Sequence, residues 1–251
     1  MRQVCLRQHM LRAEQPHTDT EASTALPKAE RANCVSHKMD ERMSKRNPRA
    51  RPRQASALPI RPIRAQPQVL AIAASTGGPS AVQSILQQLG PEFSLPILVA
   101  QHIARGFARG MVDWLNRTTP LTIQLAEHEE PLLPGHVYLA PDGQHLLAGP
   151  GIVLLLPGTS ADRYCPSADR LFETVAAAYR NMAIGVVLTG MGDDGSRGFR
   201  MLHEAGSLTL AQDEASSVVY GMPRAAVAAG AVDRVEPLLN IAQAIRQEMA
   251  P

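Results

Sequence analysis

Aromatic side chains make up only 4% of this chain of 251 residues, so its core must be built from Ala, Val, Leu and Ile. An aromatic-poor chain with many alanines and glycines suits α/β layers, in which helices lie close on a sheet. No apolar run approaches the roughly 20 residues of a membrane-spanning helix. The N-terminal stretch "MRQVCLRQHMLRAEQPHTD" lacks the continuous apolar segment of a signal peptide. The three cysteines, Cys5, Cys34 and Cys165, are odd in number and far apart. No CxxC occurs, which excludes a disulfide framework and a zinc ribbon. Together these absences describe a protein of the reducing cytoplasm.

Lysine is also missing from most of the chain. Lys45 is the last one, and beyond it the strongly basic residues are all arginine. Residues 1–67 hold about 14 of the 25 Lys and Arg but only about 6 of the 23 Asp and Glu. The net charge of +2 therefore hides a basic first part and an acidic remainder. The stretch "SKRNPRARPRQASALPIRPIRAQP" has neither helical nor alternating periodicity. Such a segment cannot bury enough apolar surface to offset its ordering entropy. Residues 1–67 are expected to be a disordered, Pro/Arg-rich extension: a solvated tail, or an upstream extension of the reading frame. They lack the interleaved aromatics of a base-stacking surface, so no nucleic-acid partner is expected.

From residue 68 to 251 the pattern is that of one folded domain. "QVLAIAAS" (68–75) is a short apolar run stopped by a Gly-rich turn, as in a buried parallel strand. "SAVQSILQQL" (80–89) has helical spacing behind Pro79. "LPILVAQH" (95–102) is a second strand, and residues 106–118 form a second helix. Residues 131–157 carry short apolar runs split by Pro-Gly, Pro-Asp-Gly and Gly-Pro-Gly turns, which suits an antiparallel hairpin or meander. Residues 167–180 return to a helix with Ser167 as N-cap. "AIGVVLTG" (183–190) and "SLTLAQD" (207–213) add strands, a helix lies between them, and two helices follow. The expected fold class is α/β: a doubly wound, mostly parallel sheet flanked by helices, with an added antiparallel β-hairpin.

Three of these strands end in chemistry. The first stops at Ser75, the second at His102, and the third runs into Asp193 and Asp194. In an open parallel sheet, ligands bind beyond the carboxyl ends of the strands. The connectivity thus gathers a serine, a histidine and a carboxylate at one edge, the set needed for acyl transfer. Gly77 and Gly78 allow a sharp turn and close approach of a substrate. The amide of Thr76 can face a developing oxyanion, with a second amide from Met191. Each residue also has a plainer reading. Ser75 can cap a helix, His102 can satisfy a backbone group, and the two aspartates can form a turn with Gly195. A rival reading makes "STGG" a phosphate cradle, but neither GxxxxGK[ST] nor GxGxxG occurs. The remaining histidines of the domain, His128, His136, His145 and His203, form no pair at metal-ligand spacing, so no metal is expected.

Six motifs, in order, resemble the catalytic domain of the chemotaxis receptor methylesterase family, CheB. They are "AIAASTGGPSA", "QHIARGF", "LPGHVYLAPDGQHL", "CPSADRLF", "GVVLTGMGDDG" and "AQDEASSVVYGMPRAA". The resemblance covers residues 68–250. It implies a cytoplasmic serine esterase that hydrolyses glutamyl methyl esters on chemoreceptors, needs no cofactor, and in some members also deamidates receptor glutamines. It places the nucleophile at Ser75, the histidine at His102 and the aspartate at Asp194, with Asp193 at a variable position. Thr76 and Met191 fall at site-lining positions.

The sequence departs from the family pattern in three places. Members often carry an N-terminal receiver domain; residues 1–67 are too few and too basic for one, so phosphoryl control in cis is not expected. Ala104 and Arg105 stand where prolines are common. Cys165 replaces an arginine, with Arg163 nearby. These departures leave room for an alternative, a catalytically impaired module that binds receptors or partner proteins. The sequence leaves the particular receptor and the oligomeric state open.

Overall fold

The structure, a computed structural model, describes residues 65–250. The expected disordered extension therefore lies almost wholly outside the described residues. Seven strands form one sheet: β1 (Val69–Ala74), β2 (Ile97–Gln101), β3 (Thr122–Leu125), β4 (His136–Leu139), β7 (Ala183–Val187), β8 (Leu208–Gln212) and β9 (Arg234–Glu236). Their spatial order is β3-β4-β2-β1-β7-β8-β9, and every pairing is parallel. The remaining strands, β5 (Gln144–Gly149) and β6 (Ile152–Pro157), form a separate antiparallel hairpin.

The central strands are hydrophobic on both faces because both faces are covered. All six residues of β1 and all five of β7 are buried. On one face Leu70, Ile72 and Val99 pack with apolar residues of α1 (Gly78–Leu89), α2 (Ala108–Thr118) and α6 (Leu238–Met249). On the other, Ala71, Ala73 and Leu98 pack with α3 (Ala168–Tyr179), α4 (Ser196–Glu204) and α5 (Met222–Ala228). The small alanines of β1 on this second face leave room for Phe172 of α3 and Phe199 of α4. Their rings meet at 4.8 Å between centroids, tilted by 58°.

The chain builds outward from β1 in two directions. It passes through β2 toward β4 and β3 on one side, and through β7 and β8 toward β9 on the other. The winding direction therefore reverses between β1 and β7. That crevice is where an open α/β sheet offers its binding edge.

Two details differ from the sequence reading. β4 lies in the main parallel sheet between β3 and β2, whereas the turn pattern of residues 131–157 suggests an antiparallel unit throughout. Only β5 and β6 follow that pattern. β3 and β9, of four and three residues, are edge strands with no predicted counterpart. Replacing Phe172, fully buried between sheet and α4, tests the second core. Phe172→Ala is expected to lower unfolding stability by about 3–5 kcal/mol, measured by urea titration.

Candidate active site

The register of β1 sets the site. Ala74 pairs with Gln101, so Ser75 and His102 leave the sheet side by side. The ladder continues past the strand ends: the His102 amide donates to the Ala74 carbonyl at 2.9 Å, and the Ser75 amide to the Thr189 carbonyl at 3.0 Å. Gln101, buried at the end of β2, ties the two residues together. Its Nε2 donates to the carbonyls of both Ser75 and His102 at 2.9 Å.

Ser75 is not the cap of α1. Gly77 holds that position in the left-handed conformation, φ 79°, and no side chain caps the helix. A Cβ at Gly77 would also meet Val218 Cβ at 2.7 Å, so glycine is required there on two counts. The Ser75 carbonyl accepts the Gly78 amide at 2.8 Å, closing the turn through the backbone. The half-buried Ser75 hydroxyl is left without a hydrogen bond among the described residues. On its other side the serine meets Gly190, where a Cβ would stand 2.7 Å from Ser75 Cβ.

His102 and Asp194 meet directly, Nε2 to Oδ2, at 2.8 Å. The Asp194 side chain is 3% exposed, against 63% for Asp193, which pairs with Arg163 at 3.3 Å. Asp194 lies against the start of α3. Its Oδ2 accepts the Ala168 amide at 2.7 Å, and its Oδ1 accepts the Asp169 amide at 3.1 Å and the Ser167 hydroxyl at 3.0 Å. Burial alone would raise the pKa of this carboxyl. The hydrogen bonds from His102, Ala168 and Asp169, with the charge of His102, outweigh burial and hold it below the ordinary carboxylate range. An ionised carboxylate only accepts, so Nε2 carries a proton, and in the neutral imidazole the lone pair then lies on Nδ1. Tyr164 stacks on the His102 ring, centroids 4.9 Å apart and planes within 7°. The Arg163 guanidinium lies 5.0 Å from the Tyr164 ring centroid on its own account, which adds a cation–π contact to the wall.

Thr76 and Met191 are both exposed, and neither amide donates to a protein acceptor among the described residues. Both loops are nevertheless held. The Thr189 hydroxyl donates to the Thr76 carbonyl and accepts the Val219 amide, each at 2.9 Å. The Thr189 amide in turn donates to Gln212 Oε1 at 2.8 Å. A cavity of about 620 Å³ opens beside Met191, lined also by Arg163, Tyr220 and Arg224. The two local departures from the family pattern lie close together. The guanidinium of Arg105 reaches over Gly143, and its charge, with that of Arg170, offsets part of the rise that burial and Asp162 impose on the Cys165 thiol.

The structure thus brings together Ser75, Thr76, Gly77, His102, Met191 and Asp194, while Gly78 packs inward against Ala74 and Gln101. The sequence reading missed Gln101, Thr189, Gln212 and Tyr164. A polar residue at the buried end of an apolar strand was the available signal for the first three. Ser167 does cap α3, accepting from the Arg170 amide, but it also donates to Asp194. Among the described residues no group of three or more His, Cys, Asp or Glu could hold a metal ion.

The fold places the chain among doubly wound α/β proteins whose functional edge lies at a switch in strand order. A family model described as CheB methylesterase matches residues 70–245, and the chain belongs to that family. It is 46% identical over 183 residues to protein-glutamate methylesterase/protein-glutamine glutaminase 2 of Anaeromyxobacter dehalogenans (strain 2CP-C), covering 73% of this chain and 54% of that one. It is 49% identical over 178 residues to the enzyme numbered 4 under the same name in Myxococcus xanthus (strain DK1622), covering 70% and 50%. The crystal structure of the Thermotoga maritima CheB methylesterase catalytic domain matches with a TM-score of 0.68 and 33% identity, covering 73% of this chain and 99% of that one. The chain spans about half the length of the curated relatives it matches.

Because its folded-state pKa is depressed, Asp194 contributes stability that is full above the ordinary carboxylate pKa of about 4. That contribution is lost as pH falls through the folded value. Asp194→Asn is therefore expected to flatten the acid side of the stability curve, read as urea midpoints between pH 7 and pH 3. Asp193→Asn, at the exposed neighbour, is the control for loss of one carboxylate.

Proposed function

We propose that this protein is a serine esterase that hydrolyses glutamyl methyl esters on the cytoplasmic helices of chemoreceptors. The observation that carries the reading is the 2.8 Å contact of His102 with buried Asp194, beside an uncommitted Ser75 hydroxyl. Family membership supports the substrate class, since the relatives are named for that reaction.

The mechanism follows from the atoms present. His102 Nδ1 takes the Ser75 proton as Oγ attacks the ester carbonyl carbon. The resulting oxyanion is held by the amides of Thr76 and Met191, which have no competing protein acceptor. Asp194 keeps the imidazole in its Nε2–H tautomer and stabilises the imidazolium. Collapse breaks the bond to the methoxy oxygen, and the imidazolium gives its proton to that leaving oxygen, releasing methanol. Water, deprotonated by the same nitrogen, then attacks the acyl-enzyme and releases glutamate and Ser75. A glutamine side chain can follow the same route with ammonia as leaving group.

The apolar residues at the rim suit a protein substrate. Met191 and Val218 are 72% and 70% exposed beside the site. Among the described residues no helix is long and apolar enough to cross a membrane.

Methanol release from methylated receptor fragments tests the proposal. Ser75→Ala is expected to abolish release with circular dichroism unchanged, and an organophosphonate should label wild-type Ser75 stoichiometrically. Asp194→Asn should lower kcat by roughly three to four orders of magnitude, far more than Asp193→Asn. Full activity in Ser75→Ala would overturn the reading.

A further inference from the structure

His145 is a titratable side chain for which the mechanism above has no use, yet it is fully buried. It lies on β5 of the hairpin, outside the main sheet. Its Nδ1 accepts the backbone amide of Ser167 at 3.1 Å. The proton must then sit on Nε2, which faces Asp162 Oδ2 at 3.4 Å. Asp162 is itself tied down, accepting the Thr159 amide at 2.7 Å and the Arg170 guanidinium at 3.0 Å. Hydrogen bonds from Thr159 and Arg170, with the His145 ring facing it at 3.4 Å, hold its carboxyl well below the usual carboxylate range.

The hairpin is fixed to α3 at three levels. Far from the site, the Tyr179 hydroxyl donates to the Gly149 carbonyl at 3.2 Å and accepts the Gly151 amide at 3.0 Å. At the middle, the Ala148 amide donates to the Thr174 hydroxyl at 3.0 Å. The third level is His145, which meets the helix at Ser167. That residue is also the one whose hydroxyl donates to Asp194 Oδ1. The first two levels dock the hairpin; the third reaches the residue that holds the aspartate.

We propose that His145 is a positioning residue for the His102–Asp194 pair, acting through the first turn of α3. The inference rests on the functional reading above. Without an acceptor at the Nδ1 position, the Ser167 amide must find another partner, and the cap turns with it. Asp194 then loses the aim of one of its four donors. His102 is displaced by a fraction of an ångström, enough to slow a proton transfer without changing substrate binding.

Three variants decide the matter. Asn can place its oxygen where Nδ1 stands; Gln places its amide where Nε2 stands; Leu offers no acceptor. The expected result is a fall in kcat of about ten- to a hundredfold for His145→Leu and His145→Gln, with KM little changed, and substantial recovery in His145→Asn. The phosphonate labelling rate of Ser75 should follow the same order. The downfield proton resonance of His102 Nε2 should shift or broaden in the Leu and Gln variants and persist in Asn. Thr174 and Tyr179 still hold the hairpin in all three. If His145→Leu does not fold, the Asn and Gln variants carry the comparison. Failure of all three to fold, equal losses in Asn and Leu, or a loss confined to KM would overturn the assignment. A wild type that labels normally, with variants that label at its rate, overturns the His145 role alone. A wild type that does not label overturns the functional reading instead.

Discussion

A buried carboxylate must be met by donors or give up its charge, and Asp194 is met by four. Three come from the first turn of α3 and its cap, where free amides and the positive end of the helix dipole favour an anion. The fourth is His102. The charge needed to orient the histidine is thus provided by the loop after β7 and stabilised by the helix packed across the sheet. This fixes where α3 must begin, and it gives the antiparallel hairpin a task. The hairpin adds nothing to the main sheet, but it runs beside α3 and holds the turn that receives the carboxylate.

The opposite wall obeys a different constraint. In the proposed mechanism Thr76 and Met191 offer free amides, and both residues are exposed, so their side chains do little to fix them. The fixing falls to buried polar residues one step behind: Thr189 on the Thr76 carbonyl, Gln212 on the Thr189 amide, and Gln101 on the Ser75 carbonyl. Each is at or just beyond the carboxyl end of a strand whose interior is apolar. A polar side chain is tolerated there because the ladder ends and leaves carbonyls and amides to satisfy. The same edge that needs hydrogen-bond partners is the edge that needs a rigid site.

These physical differences explain what could be read from the sequence. Ser75, His102 and the Asp193–Asp194 pair are visible because each follows a short apolar run, and parallel connectivity sends those ends to one edge. Choosing between the two aspartates required the family motif, since local pattern treats them alike. Their separation in the fold comes from α3, whose approach is a long-range event. The parallel pairing of β4 is hidden because "HVYL" sits among the same Pro-Gly turns as the hairpin, and its partner β2 is distant in sequence. β3 and β9 are too short to show a period. Ser167 was legible as a cap; its second bond to Asp194 was not, because a hydroxyl that accepts from its own helix can donate elsewhere without any mark in the sequence.

The tautomer has a consequence for how the proposed reaction tolerates error. With Nε2 committed to Asp194, the nitrogen left to act as base is Nδ1, the one nearer the ring's own attachment to the chain. Rotation about Cα–Cβ moves Nδ1 less than it moves Nε2, and the Nε2 bond to Asp194 restrains rotation about Cβ–Cγ. Its distance to Ser75 therefore depends mainly on backbone placement. That placement is held by the His102 amide on the Ala74 carbonyl and by Gln101 bridging the two carbonyls. The stacked Tyr164 ring limits the remaining rotation. On this reading the serine and histidine are aligned by the register of two neighbouring strands, and the aspartate by a helix terminus. The site is accurate because its serine and histidine follow directly from paired strand ends and its loop-borne aspartate is held by a helix end.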